Sequence, residues 1–210
     1  MSDTQNIINS EDLERAVRHL KDGGVVAMPT DTLYGLAADV FNPSAIDRVF
    51  AAKDRSENLA LPVLVNGWEQ AKIAGKEIPP QAKRLADRFW PGALTMVMLK
   101  ADDLPDRLTA GGPTVAVRMP AHPVPIELIN GLGGPITGTS ANISGGHDPS
   151  NLEELITQMG NRVDYIIKSG PSPGGKASTV VDITHLQPKL LREGVIPFSQ
   201  VLTAWNSASD

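Results

Sequence analysis

The sequence predicts an α/β fold built on one open, twisted, mixed sheet with flanking helices. Apolar runs of strand length and amphipathic stretches of helix length interleave from one end of the 210 residues to the other. Two predicted strands, 94–99 and 115–117, follow each other without a helix between them, so the sheet is expected to be mixed rather than all-parallel. No linker separates two halves. We therefore expect a single domain over residues 1–210, with its core at about 10–205, short polar tails and a disordered end at 206–210.

The predicted helices begin at capping residues or prolines. Ser10, followed by two acidic residues, starts the first helix, and a glycine pair ends it. Asn42 before a proline starts the second, which ends near Lys53. Ser150 is expected to cap a helix that runs to residue 159. The remaining predicted helices cover 80–90, 122–130 and 198–205.

The predicted strands are short runs rich in valine, isoleucine, leucine and threonine, bounded by turn residues. The run at 25–28 is apolar throughout, which is typical of a buried strand. The other predicted strands cover 61–65, 94–99, 115–117, 135–138, 165–168, 179–183 and 190–191.

The composition excludes several classes of protein. A net charge of −5 and an aromatic content of 4% provide no general basic field for nucleic acid. The absence of cysteine excludes thiol nucleophiles and zinc–thiolate sites, and the four histidines lie far apart, so no metal held by protein side chains is expected. The first ten residues lack a signal-peptide pattern, and no apolar run approaches the ~20 residues that span a bilayer. We therefore expect a cytoplasmic protein without membrane contact.

Residues 170–177 nearly match a phosphate-binding loop of the Walker type. Ala177, however, stands where a magnesium-binding hydroxyl is required, and the segment leads into a strand instead of a helix. We expect a flexible loop there.

Small polar side chains follow several predicted strands. They lie in the segments PTDT (29–32), TSANISG (139–145) and STVVD (178–182). Hydroxyl and amide groups donate and accept hydrogen bonds without ionising, which suits the orientation of a polar small molecule at a sheet edge. For the first segment, a turn closed by an Asx-type hydrogen bond is the alternative interpretation.

Four cationic side chains accompany this polar belt: Lys53, Arg55, Arg118 and Arg192. Arg118 faces the same side of its strand as Thr114, and an inward arginine needs an anionic partner. The alternative is an edge-strand arginine that faces water. Lys53 and Arg55 stand at a helix C-terminus, where cations are favoured in any case. Together the four could offset the charge of a nucleotide triphosphate, so the residues indicate a site for a polar anion.

The order of the motifs resembles the YrdC family of L-threonylcarbamoyladenylate synthases, in its single-domain form. From about residue 25 to about 195 the chain reads PTDTLYGL, Lys-x-Arg, LPVLV, WPGALT, VAVRMP, TSANISG, STVVD and LREG. The resemblance implies a concave basic cleft on the sheet. It also implies an enzyme that condenses L-threonine, bicarbonate or CO2, and ATP with Mg²⁺ to threonylcarbamoyl-AMP and pyrophosphate. The product would pass to a tRNA threonylcarbamoyl transferase.

The resemblance also implies roles for individual residues. Those that match the family's threonine site are Thr32, Arg118, Ser140 and Ser178. Those that match the nucleotide side are Lys53, Arg55, Thr114, Asn142 and Arg192, with Ser150 added through its helix N-terminus. Lys53 and Arg55 would be catalytic through their charge, because the implied mechanism has no protein nucleophile.

The chain departs from the family pattern at five positions. Asp54 and Ser56 stand where glycine and proline are usual, which would bring a carboxylate near the phosphates. Leu59 and Leu64 replace an asparagine and a histidine, and Glu193 replaces a proline. We expect the nucleotide pocket to differ in detail.

Two other functions fit the same residues. One is an RNA-binding protein in tRNA or ribosome maturation, because a concave basic face also suits a phosphate backbone, although the net charge counts against it. The other is a carbamoyl-handling domain of the hydrogenase-maturation type, against which the missing zinc-finger and acylphosphatase-like segments argue.

Overall fold

A computed structural model describes residues 9–56, 58–168 and 175–207. It confirms a mixed α/β fold in which strands and helices alternate along the chain. The helices are α1 (Ser10–Lys21), α2 (Pro43–Ala52), α3 (Trp68–Ala74), α4 (Pro80–Phe89), α5 (Pro123–Leu132), α6 (Leu152–Met159), α7 (Phe198–Asn206) and a 3-10 helix (Asp106–Thr109). The strands are β1 (Val26–Met28), β2 (Gly35–Ala37), β3 (Val63–Leu64), β4 (Gly75–Lys76), β5 (Leu94–Lys100), β6 (Thr114–Arg118), β7 (Ile136–Thr137), β8 (Thr139–Ser140), β9 (Tyr165–Ile166), β10 (Thr179–Asp182) and β11 (Lys189–Arg192).

The strands form two sheets, so the prediction of one sheet is wrong. The first sheet has the order β8-β2-β1-β9, and the second has the order β11-β10-β5-β6-β3-β7 with β4 paired to β5. Both are mixed, as predicted: β1 runs parallel to β9 and antiparallel to β2, while β5 runs parallel to β10 and antiparallel to β6. Because β7 and β8 are consecutive in the chain but belong to different sheets, the chain crosses between the sheets at Gly138.

The helix starts show how far capping signals predict structure. Asn42 caps α2 as predicted, with its side chain accepting a backbone N–H. At α1 the cap is Asn9 rather than Ser10, and at α6 it is Asn151 rather than Ser150. In both places two adjacent residues are chemically able to cap, and the backbone geometry selects asparagine.

Some elements differ from the prediction. The strand β2, the helix α3 and the short strands β4 and β8 were not predicted. Asn206 is the last residue of α7, so it is not part of a disordered tail, and residues 208–210 lie outside the described ranges. Most of the Walker-like segment, residues 170–174, also lies outside them. Within the described ranges, every helix is too short or too polar to cross a membrane.

Two apolar clusters cover the opposite faces of β1. Val26 and Met28 belong to one cluster together with residues of α1 and α5, whereas Ala27 belongs to the other. The alternation follows the two-residue period of a strand, and all three side chains are fully buried. This double burial holds the end of β1 in place, and the polar PTDT segment begins directly after it.

Candidate active site

The PTDT segment is a turn closed by a threonine hydroxyl. Thr30 Oγ1 donates to the carbonyl of Leu33 at 2.6 Å and accepts from the backbone N–H groups of Thr32 and Leu33 at 3.1 and 3.2 Å. The alternative of a hydrogen-bonded turn is therefore correct in kind, although Thr30 rather than Asp31 closes it. Asp31 and Thr32 are thereby left to contact the second sheet.

Arg118 makes that contact. Its side chain is 8% exposed, and it donates to Asp31 Oδ1 at 2.5 Å, to Thr32 Oγ1 at 2.7 Å and to the carbonyl of Gly92 at 2.8 Å. Burial lowers the pKa of Arg118, and the charge of Asp31 opposes that shift. The predicted anionic partner is thus Asp31, and the alternative of a water-facing edge arginine is wrong. A guanidinium has more N–H donors than these contacts use, so donors remain for a ligand.

A second cluster lies at the start of β10. The hydroxyls of Ser178 and Thr95 are 2.9 Å apart, and Arg192 donates to the Ser178 hydroxyl at 3.2 Å and to its carbonyl at 3.0 Å. Gly194 allows the chain to turn back here, because a Cβ at that position would lie 2.2 Å from the carbonyl oxygen of Ala177. Thr95 belongs to the WPGALT motif but was not predicted as a site residue. It is a polar residue near the start of β5, in the otherwise apolar run 94–99, and that position is the signal that could have identified it.

Lys53 is buried behind the cavity wall, with 1% of its surface exposed. Its ammonium donates to the carbonyl of Ser140, to the carbonyl of Asn142 at 2.9 Å and to Asn142 Oδ1 at 3.0 Å. Burial, followed by the charge of Arg55, lowers the pKa of Lys53 to about 8, and the charge of Asp148 acts in the opposite direction. The same Asn142 oxygen accepts the Ser140 hydroxyl at 2.7 Å.

Arg55 stands two residues further on and faces the cavity. Its guanidinium donates to the carbonyl of Ala60 at 3.1 Å, and burial lowers its pKa. The neighbouring Asp54 forms an ion pair with Arg162 at 2.9 Å and does not line the cavity. Asp54 is thus paired with Arg162, and the expectation that it brings a carboxylate near the phosphates stays a prediction. Leu64, by contrast, does line the cavity.

These groups surround a cavity of about 340 Å³ between the two sheets. Its size lies within the range of about 300–1,000 Å³ that is typical of ligand sites. Arg55, Arg118 and Arg192 contribute positive charge, and Asp148 contributes a carboxylate; the basic character of the whole cleft stays a prediction. Of the predicted site residues, those that line the cavity are Thr32, Arg55, Arg118, Ser140, Ser178 and Arg192, and Lys53 and Asn142 lie directly behind Ser140.

Two predicted site residues lie away from the cavity lining. Thr114 begins β6 opposite Leu99, at the other end of the strand from Arg118. Ser150 is exposed, and its hydroxyl and backbone N–H both contact the carboxylate of Glu154, at 3.0 and 2.9 Å. These contacts stabilise the first turn of α6 from outside the helix. The structure gives neither residue a contact with the other site groups.

A second cavity, of about 480 Å³, is lined by Glu77 before α4, by Met98 of β5, by residues 183–186 after β10 and by Trp205 of α7. Although it is larger, it contains none of the predicted site residues and no guanidinium group. The smaller cavity is therefore the candidate active site. Within the described residues, no group of three histidine, aspartate or glutamate side chains could hold a metal ion.

Comparison with known proteins identifies the family to which the chain belongs. A family profile for Sua5, YciO and YrdC proteins, with the description "Telomere recombination", matches residues 18–194. The threonylcarbamoyl-AMP synthase of Pyrococcus abyssi is 40% identical over 186 residues, which cover 89% of this chain and 55% of the relative. The threonylcarbamoyl-AMP synthase of Bacillus subtilis is 39% identical over 194 residues, which cover 92% of this chain and 56% of the relative.

The fold comparison leads to the same group of proteins. The crystal structure of P. abyssi Sua5 complexed with L-threonine superposes with a TM-score of 0.91 at 38% identity, over 95% of this chain and 58% of that chain. This chain thus spans little more than half the length of these relatives. The profile match, the sequence identities and the shared fold agree, and the chain belongs to the Sua5/YciO/YrdC family.

Proposed function

We propose that this protein is an L-threonylcarbamoyladenylate synthase, which condenses L-threonine, bicarbonate or CO2, and ATP to threonylcarbamoyl-AMP and pyrophosphate. The observation that carries the proposal is the buried Arg118, whose guanidinium keeps unused N–H donors. It lines a cavity together with the hydroxyls of Thr32, Ser140 and Ser178. The relatives named threonylcarbamoyl-AMP synthase support it, as does the threonine complex of P. abyssi Sua5.

The proposed threonine site combines one cation with neutral hydroxyls. The remaining N–H groups of Arg118 would bind the substrate carboxylate in a bidentate manner. The hydroxyls of Thr32, Ser140 and Ser178 would contact the amine and the side-chain hydroxyl of threonine. Asp31 already offsets much of the charge of Arg118. The empty site would therefore contain no unpaired arginine charge.

The proposed nucleotide site relies on Arg55 and Arg192, whose positive charges lie at the cavity. ATP would bring Mg²⁺ with it, held mainly by the phosphate oxygens, because Asp148 is the single carboxylate among the described lining residues. When bound, Mg²⁺ supplies further neutralisation of the phosphate charge.

The proposed reaction proceeds without a protein nucleophile. The threonine amine forms an N–C bond to CO2 and loses a proton, which gives a carbamate. A carbamate oxygen then bonds to the α-phosphorus of ATP, and the bond to the β-phosphate oxygen breaks with its electron pair leaving on pyrophosphate. Arg118 and the hydroxyls would hold the carbamate in line, and Arg55 and Arg192 would neutralise the charge of the departing pyrophosphate.

We further propose that the product supplies a transferase that modifies adenosine in tRNA. The short lifetime expected of a carbamoyl-adenylate favours a transferase in the same compartment, so we propose a cytoplasmic location. The weaker alternative, RNA binding as the main activity, rests on the same arginines.

Pyrophosphate release by the purified protein tests the proposal. Release that requires ATP, L-threonine and bicarbonate together is the expected result, and Arg118→Ala should abolish it. Arg48→Ala is the matched control, because Arg48 also pairs with an aspartate, at 2.5 Å to Asp164, but on the exposed surface. Release that is independent of threonine, or equal in the Arg118 and Arg48 variants, would contradict the site. Salt-dependent tRNA binding without ATP consumption would favour the RNA-binding alternative.

A further inference from the structure

Lys53 differs from Arg118, which keeps unused N–H donors, in that every donor of its side chain is already bonded to a protein oxygen. An ammonium group has three N–H donors, and three oxygen atoms accept from it: the carbonyls of Ser140 and Asn142 and the side-chain oxygen of Asn142. With 1% of its surface exposed, Lys53 is absent from the cavity lining, whereas Arg55 is part of it. A phosphate contact would require Lys53 to give up bonds in a buried position, which is costly.

Lys53 connects the end of α2 to residues 140–144, both as a hydrogen-bond donor and as an acceptor. Its side chain, at the C-terminal end of α2, bonds to residues 140 and 142, and its own backbone carbonyl accepts the N–H of Ser144 at 2.8 Å. Asn142 extends the link, since its amide N–H donates to the carbonyl of Gly146 at 2.8 Å. Three contacts between Lys53 and this segment therefore come from the side chain and one from the backbone.

The link reaches the cavity through Ser140. The hydroxyl of Ser140 donates to Asn142 Oδ1 at 2.7 Å, and Lys53 holds that same oxygen at 3.0 Å. Ser140 also lines the cavity, next to the groups around Arg118. The orientation of the Ser140 hydroxyl thus depends on Asn142, and the orientation of Asn142 depends on Lys53.

We propose that Lys53 is a positioning residue, which fastens residues 140–144 to the end of α2 so that Ser140 is oriented toward threonine, and that it does not bind the phosphates of ATP. The proposal rests on the proposed synthase function and revises the role that the family resemblance implies for Lys53. Arg55 remains the residue of this segment that contacts the nucleotide. The positive charge of Lys53 serves to satisfy three oxygen atoms at once, which a neutral side chain of similar length cannot do.

The test compares two neutral replacements of Lys53. Lys53→Met removes all donors, while Lys53→Gln keeps an amide N–H pair that can still bond to the segment. We expect Lys53→Met to raise the KM for L-threonine about tenfold or more, as loss of an oriented hydrogen-bonding group does, and to change the KM for ATP less than about threefold. Lys53→Gln should recover much of the threonine affinity. Arg55→Gln is the matched control and should raise the KM for ATP instead.

Opposite results would overturn the proposal. If Lys53 binds phosphate, Lys53→Met and Lys53→Gln should weaken ATP binding equally and leave threonine binding unchanged. Unchanged kinetics in Lys53→Met would also refute it. Hydrogen exchange of the Ser144 amide provides a measurement that does not depend on catalysis. Faster exchange in Lys53→Met than in the wild type, with a smaller increase in Lys53→Gln, supports the link. Equal exchange in all three proteins refutes it, even if the wild type makes no threonylcarbamoyl-AMP.

Discussion

Replacing Arg118 by lysine separates the charge of this side chain from its shape. The guanidinium makes three contacts with the protein, to Asp31, Thr32 and Gly92, and the proposed function assigns its remaining donors to the threonine carboxylate. A hydrogen bond to a charged group contributes roughly 1.5–3 kcal/mol. Lysine can replace one of two such bonds to the carboxylate, so the net loss of threonine binding is about 1.5–3 kcal/mol, or roughly 10- to 150-fold.

Calorimetry with L-threonine and steady-state kinetics measure this loss directly. Arg118→Lys should raise the dissociation constant and the KM for threonine by that factor and leave the KM for ATP nearly unchanged. Arg48→Lys, which alters an exposed arginine–aspartate pair, should change neither. Thermal unfolding of Arg118→Lys checks that the fold is retained. A threonine KM within about threefold of the wild-type value would refute the reasoning, because it would mean that the planar shape of Arg118 is not used.

Three further predictions concern groups around the cavity. Thr95→Val removes the hydrogen-bond partner of the Ser178 hydroxyl while keeping the shape of the side chain. The free energy of unfolding, measured in urea, should fall by about 0.5–1.5 kcal/mol, and the KM for threonine should rise. An unchanged KM would argue against a role for this pair. Gly194→Ala should lower the melting temperature by about 2–10 °C, because its Cβ would meet the carbonyl of Ala177 and overpacking costs about 1–3 kcal/mol. Finally, because the pKa of Lys53 is lowered to about 8 by burial, the unfolded chain binds more protons than the folded one between pH 8 and the ordinary lysine pKa of 10.5. Relative to Lys53→Met, the wild type should therefore gain about 2 kcal/mol of unfolding free energy from pH 7 to pH 9.5. An unchanged difference would mean that the pKa is not lowered.

The elements predicted correctly are those with a local signal. Asn42 and the following proline mark the start of α2, and the apolar runs of β5 and β6 predict strands close to their observed bounds. The strand β2, in contrast, contains a glycine and an alanine and follows a polar turn, so nothing in its own residues predicts it. It is a strand because Gly35 to Ala37 pair with β1 on one side and β8 on the other. Such pairing depends on partners distant in sequence.

The same distinction applies to the site. Six of the residues predicted to bind a substrate line the cavity, since polar groups at strand ends meet at a sheet edge. Thr114 does not, because it lies at the opposite end of β6 from Arg118, paired with Leu99. Ser150 does not: it is exposed, and its hydroxyl and backbone N–H contact the carboxylate of Glu154.

The sequence by itself determined the α/β class, the family and six of the polar and charged residues that line the cavity, because these depend on residue type and order along the chain. The tertiary structure decided which charges meet. Arg118 pairs with Asp31 only because the fold brings β6 of the second sheet next to the turn after β1 of the first. Lys53 and Arg55, two residues apart and alike in charge, have different surroundings because the end of α2 buries one and leaves the other at the cavity. The free energy of a charge depends on its burial and its partners, and folding alone sets both.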